Sequence, residues 1–324
     1  MRKNFHLLLA LVVVLAMPLT MQSGSLASEV LIFGLAAMGC NLLLGYTGLL
    51  SFGHAAFLGG AAYICGYAIK DVGATPEIGL LAGTASGALL GLVMGWFTIR
   101  RQGIYATMIT LALAQMLFFA CLQAPFTGGE DGLQGVPRGK LFGLLDLQSD
   151  LVMYYVTVVI ATAAFLLIVR TIHSPFGQVL KGIKENEARA TSLGYDTNRF
   201  KLLAFVISAA IAGLAGSLKT LVLGFATLSD VHWSMSGHVV LMTLVGGMGT
   251  LSGPLVGAVV VVALENKIGD LGAWLARTTG VEWFSTLGQS VTIVTGLIFI
   301  VCVLAFRRGI MGELIAWLQG RGKS

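Results

Sequence analysis

Charged side chains are scarce in this sequence. Only 11% of the 324 residues are Asp, Glu, Lys or Arg, whereas soluble domains contain roughly a quarter. Hydrophobic residues make up 56% of the chain, and the mean hydropathy is +0.87. Apolar surface on this scale needs lipid as its solvent, which excludes a soluble fold. The membrane span is therefore the unit from which this chain is built.

Cysteine and proline are also rare. The four cysteines stand singly in apolar stretches, without a CxxC spacing or a neighbouring histidine cluster, which excludes a disulfide framework and a zinc site. The 6 prolines are outnumbered by 43 glycines, a balance typical of close-packed membrane helices because glycine lets helix backbones approach each other. The net charge of +5 comes from residues that flank apolar runs. No basic stripe is formed, so nucleic acid is excluded as a partner.

Motifs for catalysis are missing as well. The sequence contains no G-x-S-x-G, no H-E-x-x-H and no paired Asp motif. The nearest match to a phosphate-binding loop, Gly322-Lys323-Ser324, lacks the leading glycine. We therefore expect no catalytic residue, no metal site and no cofactor bound by this chain, and no enzymatic activity of its own.

Long uncharged windows indicate the spans, because a charge at the bilayer centre costs about 3 kcal/mol and a span needs about 20 residues. Two of the windows are long enough for two passes each. They predict an all-α membrane bundle of ten transmembrane helices, forming a single domain over residues 1–324. The predicted helices are approximately 5–21, 30–46, 55–70, 78–99, 103–123, 151–169, 202–222, 236–249, 253–267 and 288–306.

The distribution of basic residues predicts the orientation, since Lys and Arg are retained on the cytoplasmic side. With the N-terminus inside, 14 of the 20 basic residues lie in the cytoplasm. We therefore expect both termini to be cytoplasmic. The alternative for the first helix is a cleaved signal peptide, because Arg2 and Lys3 precede an apolar run and residues 26–28 resemble a cleavage site.

Two apolar stretches are interrupted by glycines and hydroxyl side chains, at residues 45–54 and 246–254, and both contain the pattern G-x-x-G-x-L-S. Irregular backbone at membrane depth requires protein or water to satisfy its polar groups, and such paired interruptions point to a transport pathway. The alternative is a pair of tight cytoplasmic turns, with the histidine held by backbone at a helix end. The polar candidates for a pathway or gate are Tyr46, Thr47, Ser51, His54, Thr250 and Ser252.

An ion-coupled carrier normally keeps an acidic or histidine side chain in mid-membrane. In this sequence the apolar windows contain no Asp or Glu, and Glu265 lies near the end of a predicted span. Ion coupling is therefore disfavoured, and a carrier or channel acting alone remains the alternative.

Two longer polar segments predict docking surfaces. Residues 170–201 contain one predicted amphipathic helix, which Gly194 caps. Its mixed charge, including the i, i+4 pairs Lys181–Glu185 and Glu185–Arg189, favours a protein partner over lipid headgroups. On the other side of the membrane, the loop 125–150 carries Glu130 and Asp131 among glycines and suits a soluble partner. The apolar stripe of the predicted helix consists of Val179, Leu180, Ile183, Ala190 and Leu193.

Several motifs together carry a resemblance to a known family. They are NLLLGYTGLLSFGHAAF at 41–57, GIYATMITLA at 103–112, TGGEDGL at 127–133, IKENE at 183–187, KLLAFVIS at 201–208 and GGMGTL at 246–251. As a set they resemble the permease subunits of branched-chain amino acid ABC importers, specifically the M-type member of the high-affinity system. The resemblance covers roughly residues 30–305.

The resemblance implies a permease half that pairs with a homologous second permease, with two cytoplasmic ATPase subunits that hydrolyse ATP, and with a periplasmic substrate-binding protein. In this sequence Glu185, Glu187, Arg189 and Gly194 match the loop that couples the ATPases to the pathway. One departure concerns the spacing, because Gly194 follows Glu187 by seven residues where the general importer loop has six. Related permeases serve urea, amides or small organic acids, so the substrate stays open.

Overall fold

The computed structural model describes residues 24–101, 103–143 and 145–279, with 296–297, 299–300 and 309–313. Within these ranges nearly all regular structure is helical, so the chain is an all-α membrane bundle, as the apolar windows predict. The helices are α1 (Gly24–Thr47), α2 (His54–Lys70), α3 (Pro76–Thr98), α4 (Ile104–Gln123), α5 (Asp150–His173), α6 (Pro175–Glu185), α7 (Glu187–Ser192), α8 (Thr197–Leu223), α9 (Trp233–Gly246) and α10 (Gly253–Thr279).

Eight of the predicted helices correspond to α1–α5 and α8–α10. The largest differences are at α1, which begins at Gly24 and not at 30, and at α10, which continues to Thr279 and does not end at 267. The predicted helices 5–21 and 288–306 lie outside the described residues, apart from 296–297 and 299–300. The count of ten spans stays a prediction, as does the location of the termini.

Among the described helices, α1, α3, α4, α5 and α8 are long and apolar enough to cross a membrane. The central one is α1, because 94% of its most apolar window is buried inside the chain, against 22% for α4. Large side chains on α3, α4 and α5, such as Leu81, Met116 and Val159, are 67–70% exposed. These three helices therefore form an apolar rim that suits contact with lipid.

Small residues bring α3 and α8 together. A Cβ atom added to Gly87 would lie 2.9 Å from the Cα of Gly213 and 2.9 Å from the carbonyl oxygen of Ala209. Only glycine at position 87 permits this approach, which is the usual way in which membrane helices pack.

The bundle has two distinct ends. Gly24, the first residue of α1, packs against Asp150, the first residue of α5, so both helices begin at the same end. We call it the loop end, because it also carries residues 124–149. At the opposite end α1 finishes and α6 lies on it, and we call this the α6 end.

The loop at the loop end is fastened to the C-terminal end of α8. Leu133 and Ala226 form an antiparallel bridge with both N–H···O distances at 2.9 Å. The Arg138 guanidinium donates to Asp150 Oδ1 at 2.6 Å and to the carbonyl oxygen of Val222 at 2.6 Å. A small antiparallel hairpin, β1 (Lys140–Leu141) and β2 (Leu145–Asp146), completes the loop.

The predicted single amphipathic helix is wrong, because the chain forms two helices, α6 and α7. Asn186 has an extended backbone, with φ −158°, and its Oδ1 accepts a hydrogen bond from the Arg189 N–H at 3.0 Å. It is therefore the N-cap of a new helix. The predicted i, i+4 pair Glu185–Arg189 is also wrong, since the two residues lie in different helices.

The apolar stripe of the predicted helix is largely buried, but one of its residues is exposed. Leu180, Ile183 and Ala190 are buried, whereas Leu193 is 71% exposed. The predicted cap at Gly194 is confirmed. Its φ is +90°, and the N–H groups of Gly194 and Tyr195 bond back to the carbonyls of Thr191 and Ala190 at 2.9 and 3.2 Å, which is a Schellman motif.

Candidate functional site

The first interrupted segment connects α1 to α2 inside the protein. Thr47 donates its hydroxyl to the carbonyl of Leu43, and Ser51 Oγ accepts from the Gly53 N–H at 3.1 Å. Thr47, Ser51 and His54 are all buried. Within this chain the segment is thus a turn whose polar groups are satisfied by protein.

His54 begins α2 and joins it to two other helices. Its Nε2 lies 3.0 Å from Ser208 Oγ on α8, and Ser208 Oγ donates to the carbonyl of Gly39 on α1 at 2.6 Å. Its Nδ1 lies 3.2 Å from the carbonyl oxygen of Ser51. Gly39 and Ser208 lie well inside α1 and α8, so α2 starts within the bundle and not at its surface.

The second interrupted segment, between α9 and α10, is clamped by a residue that the sequence analysis did not select. Asn41 of α1 donates from Nδ2 to the carbonyl of Thr250 at 2.8 Å, and its Oδ1 accepts from the Gly249 N–H at 2.8 Å. Its side chain is buried. The signals for Asn41 in the sequence are an amide within a long uncharged window and its place at the start of the motif at 41–57.

The two interrupted segments meet at the α6 end. A Cβ atom on Gly45 would lie 2.7 Å from the Gly249 nitrogen, so the two backbones are in contact there. Thr250 Oγ1 donates to the Gly247 carbonyl at 2.7 Å and accepts from the Gly253 N–H at 3.1 Å. The side chains of Thr250 and Ser252 are half-buried.

Helix α6 lies directly on this junction. Lys184 Nζ donates to the Gly45 carbonyl at 2.6 Å, and the Lys181 ammonium lies 5.8 Å from the centre of the buried Tyr46 ring. A displacement of α6 would therefore act on the end of α1 and on the first interrupted segment.

The four predicted coupling residues differ in their surroundings. Glu187 accepts hydrogen bonds from Lys201, which is only 2% exposed, and from Thr197 Oγ1 at 3.2 Å, so it fastens α7 to α8. Glu185 and Arg189 are exposed at the α6 end. Gly194 lies beside the exposed side chains of Leu193 and Tyr195. This end therefore presents mixed charge together with apolar groups.

Glu130 and Asp131 lie at the loop end, in a short 3₁₀ turn (Gly129–Asp131), and both are exposed. The residues just before this turn are fixed to α4, because the Thr127 hydroxyl donates to the Cys121 carbonyl at 2.5 Å. The two carboxylates are thus presented on an anchored loop.

Ionisable residues from separate elements also pair in the loop-end half of the bundle, which the sequence analysis did not predict. Lys219 of α8 donates to Asp230, and both side chains are buried. The Lys219 ammonium lies 5.8 Å from the centre of the Phe33 ring on α1. His238 Nδ1 of α9 is 3.2 Å from Glu265 Oε1 of α10. We call these two pairs, Lys219 with Asp230 and His238 with Glu265, the ionic pairs.

Helix α10 continues twelve residues beyond the predicted end at 267, and Glu265 lies at its middle. The position of Glu265 near a span end stays a prediction. Lys219, Asp230 and Glu265 border uncharged windows, and His238 lies inside one, so no local pattern indicates which of them pair. The folded chain brings Lys219 to Asp230 and His238 to Glu265.

Comparison with known proteins assigns the family. The sequence model of one protein family, described as the permease component of branched-chain amino acid transport systems, matches residues 22–303 of this chain. The high-affinity branched-chain amino acid transport system permease protein LivM of Salmonella typhimurium is 26% identical over 303 residues, covering 84% of this chain and 70% of that protein. LivM of Escherichia coli has the same identity and coverage. This chain belongs to the permease family of branched-chain amino acid transport systems, as its motifs predict, and it is a multi-pass membrane protein.

More distant relatives carry other substrates in their names. The ribose import permease protein RbsC of Haemophilus influenzae is 23% identical over 199 residues, covering 58% of each chain. No solved structure matches this chain.

Proposed function

We propose that this chain is one permease half of an ABC importer that moves branched-chain or related amino acids across the bacterial inner membrane. Its partners are a homologous second permease, two cytoplasmic ATPase subunits and a periplasmic substrate-binding protein. Hydrolysis of ATP takes place in the partner subunits. In this proposal the α6 end faces the cytoplasm and the loop end faces the periplasm.

The proposal rests on one observation: α6 packs directly on the place where the two interrupted segments meet. Lys184 holds the Gly45 carbonyl, and Gly45 contacts Gly249. A subunit that pushes on α6 and α7 from the cytoplasm therefore reaches both interruptions through direct contacts. Glu185, Arg189 and Gly194 are the proposed contacts with the ATPase, while Glu187 holds α7 in position.

The interrupted segments are the proposed cytoplasmic gate. In this chain Thr47, Ser51 and His54 bond to other protein groups, which fits a closed gate. Opening would expose Tyr46, Thr47, Ser51, His54, Thr250 and Ser252 together with freed backbone groups, which a polar substrate and its water can satisfy. Glu130 and Asp131 are the proposed docking contacts for the binding protein.

The test is purification of the tagged chain from its native host, followed by reconstitution in proteoliposomes. We expect a second permease and ATPases to copurify, and L-leucine uptake to require both ATP and the binding protein. A complex whose ATPase cannot hydrolyse ATP is the control and should show no uptake. Uptake driven by an ion gradient without ATP would contradict the proposal and favour a carrier acting alone.

A further inference from the structure

A cavity of about 220 Å³ lies between α3 and α8, and we call it the α3–α8 cavity. Helix α3 starts beside Gly139 of the loop end, so it finishes at the α6 end, where α8 starts. The two helices touch there, since a Cβ atom added to Gly95 would lie 3.0 Å from Leu202 Cδ1. Pockets for drug-sized ligands measure roughly 300–1,000 Å³, so this cavity suits a smaller group. Its lining includes Trp96, Ile99, Arg100, Asp196, Arg199 and Leu202.

Positive charge predominates in the α3–α8 cavity, since two arginines, Arg100 and Arg199, and one carboxylate, Asp196, line it. Asp196 is already engaged, because its Oδ2 lies 2.8 Å from Arg199 Nε and its Oδ1 accepts from the Arg199 N–H at 3.3 Å. The Arg100 guanidinium lies 5.2 Å from the centre of the Trp96 ring. No ion pair among the described residues includes Arg100 or the neighbouring Arg101. The cavity therefore has a net positive charge that an anion can balance.

The cavity lies at the end of the exposed apolar side of α3. Leu81, Leu89 and Trp96 are exposed and recur at intervals of eight and seven residues, which places them on one side of the helix. Arg100 continues this side, because its guanidinium packs on the Trp96 ring. Tryptophan is enriched where the hydrocarbon core meets the headgroups, and arginine side chains extend from helix ends into that layer. The cavity is therefore at the level of the lipid headgroups.

A phospholipid matches both the charge and the apolar surface. Its phosphate can accept two parallel N–H bonds from an arginine, and its acyl chains can cover the apolar side of α3. Basic pockets between membrane helices on the cytoplasmic side bind anionic headgroups. An acidic side chain of a protein partner would match the arginines alone and would leave the exposed Leu89 and Trp96 uncovered. The combination of charge and apolar surface thus favours a lipid.

We propose that the α3–α8 cavity binds the headgroup of an anionic phospholipid of the cytoplasmic leaflet. Arg100 and Arg199 contact the phosphate, and Trp96 holds the Arg100 guanidinium in place. The acyl chains lie along the exposed side of α3. This lipid site goes beyond the proposed function, from which it takes only the orientation of the α6 end toward the cytoplasm.

The experiment is native mass spectrometry of the complete importer, released from nanodiscs that contain equal amounts of phosphatidylglycerol and phosphatidylcholine. We expect the wild type to retain about threefold more phosphatidylglycerol, because its headgroup is anionic whereas phosphatidylcholine is zwitterionic. Arg100→Gln and Arg199→Gln should each lower this ratio about twofold, since each removes one phosphate contact. Arg170→Gln is the matched control and should leave the ratio unchanged, because Arg170 is exposed at the α6 end of α5 and does not line the cavity.

Assembly of each variant with the ATPases is measured in parallel by size-exclusion chromatography. If Arg100→Gln does not assemble, Arg199→Gln decides alone, because the Arg199 side chain is 87% exposed.

The inference is overturned if the wild type shows no preference for phosphatidylglycerol, or if Arg170→Gln lowers the ratio as much as the two cavity variants do. An unchanged ratio in the cavity variants also overturns it, and a simultaneous loss of the ATPases would assign the cavity to a protein partner. Displacement of the lipid by inorganic phosphate would assign the cavity to a soluble anion instead. If the preference is observed but no ATP-dependent uptake occurs, the proposed function fails and the lipid site stands.

Discussion

Asn41 holds the backbone of Gly249 across 208 positions of sequence, with its Oδ1 2.8 Å from the Gly249 nitrogen. Its Nδ2 donates at the same time to the Thr250 carbonyl. One amide side chain thus replaces the hydrogen bonds that the backbone loses where α9 stops before α10. The central helix α1 therefore sets the position of the second interrupted segment.

Replacing Asn41 with Ala should destabilise the protein. The Gly249 N–H and the Thr250 carbonyl would lose their partners, and a buried unpaired group costs about 1–3 kcal/mol. The measurement is the thermal midpoint of the solubilised protein, followed by size-exclusion chromatography. Asn266→Ala is the matched control, since the exposed Asn266 bonds only to the Val262 carbonyl of its own helix. An equal midpoint in both variants would contradict the clamp.

Reversing the charge of Glu187 should reduce the amount of folded protein. The change Glu187→Lys leaves the buried Lys201 without its carboxylate and adds a second ammonium, and breaking a buried pair costs about 3–5 kcal/mol. Because Glu187 is partly exposed, we expect the lower end of that range. Restoration of folding by combining Glu187→Lys with Lys201→Glu would identify the pair as the cause. No recovery in that double variant, or no loss in the single one, would argue against it.

Reversing the charge of Arg189 should have a different effect. Arg189 is exposed at the α6 end, and its backbone N–H, not its guanidinium, caps α7 through Asn186. The change Arg189→Glu is expected to leave insertion and thermal stability unchanged while ATP hydrolysis is uncoupled from uptake, which would fall by about tenfold. The ratio of substrate transported to ATP hydrolysed is the readout. Normal coupling would leave α7 as a helix that merely lies at the membrane surface.

Charge reversal at the loop tip tests the docking of the binding protein. Glu130→Lys with Asp131→Lys should weaken stimulation of ATP hydrolysis by the binding protein at least fivefold, and basal hydrolysis should not change. These substitutions keep the bridge between Leu133 and Ala226, which a deletion of the loop would remove. The control is Asp71→Lys, since Asp71 is exposed and follows α2, whose Lys70 contacts the same loop. Unchanged stimulation by the binding protein would refute this role of the two carboxylates.

Cysteine substitution tests whether the interrupted segments line a gate. In a background without native cysteines, Thr250→Cys and Ser252→Cys should react with water-soluble thiol reagents in the nucleotide-free complex, because both side chains are half-buried at the α6 end. The buried positions Thr47 and Ser51 should react only in the nucleotide state that opens the gate. If all four resist the reagents in the nucleotide-free and the ATP-trapped complexes, both segments are packing turns.

The helices of this bundle can be predicted from sequence because lipid excludes charge. The predicted helices 55–70, 78–99 and 103–123 coincide with α2, α3 and α4 within two residues at each end. The cap at Gly194 can be predicted because glycine is the usual residue at an αL helix terminus. The break at Asn186 could not be predicted, since the periodicity of the apolar residues continues across it. The exposure of Leu193 and the ionic pairs of Lys219 with Asp230 and His238 with Glu265 depend on tertiary packing that no local pattern contains.

The central position of α1 has a consequence for biosynthesis. The Asn41 amide is paired by the backbone of Thr250 and Gly249, which follow it by 209 and 208 residues in the chain. Until that segment is synthesised, α1 contacts lipid, and the Asn41 amide lacks its partners Gly249 and Thr250. A nascent chain halted after α5 is therefore expected to remain bound to the insertion machinery, and substitutions in α10 should lower the yield of full-length protein by exposing α1 to quality-control proteases.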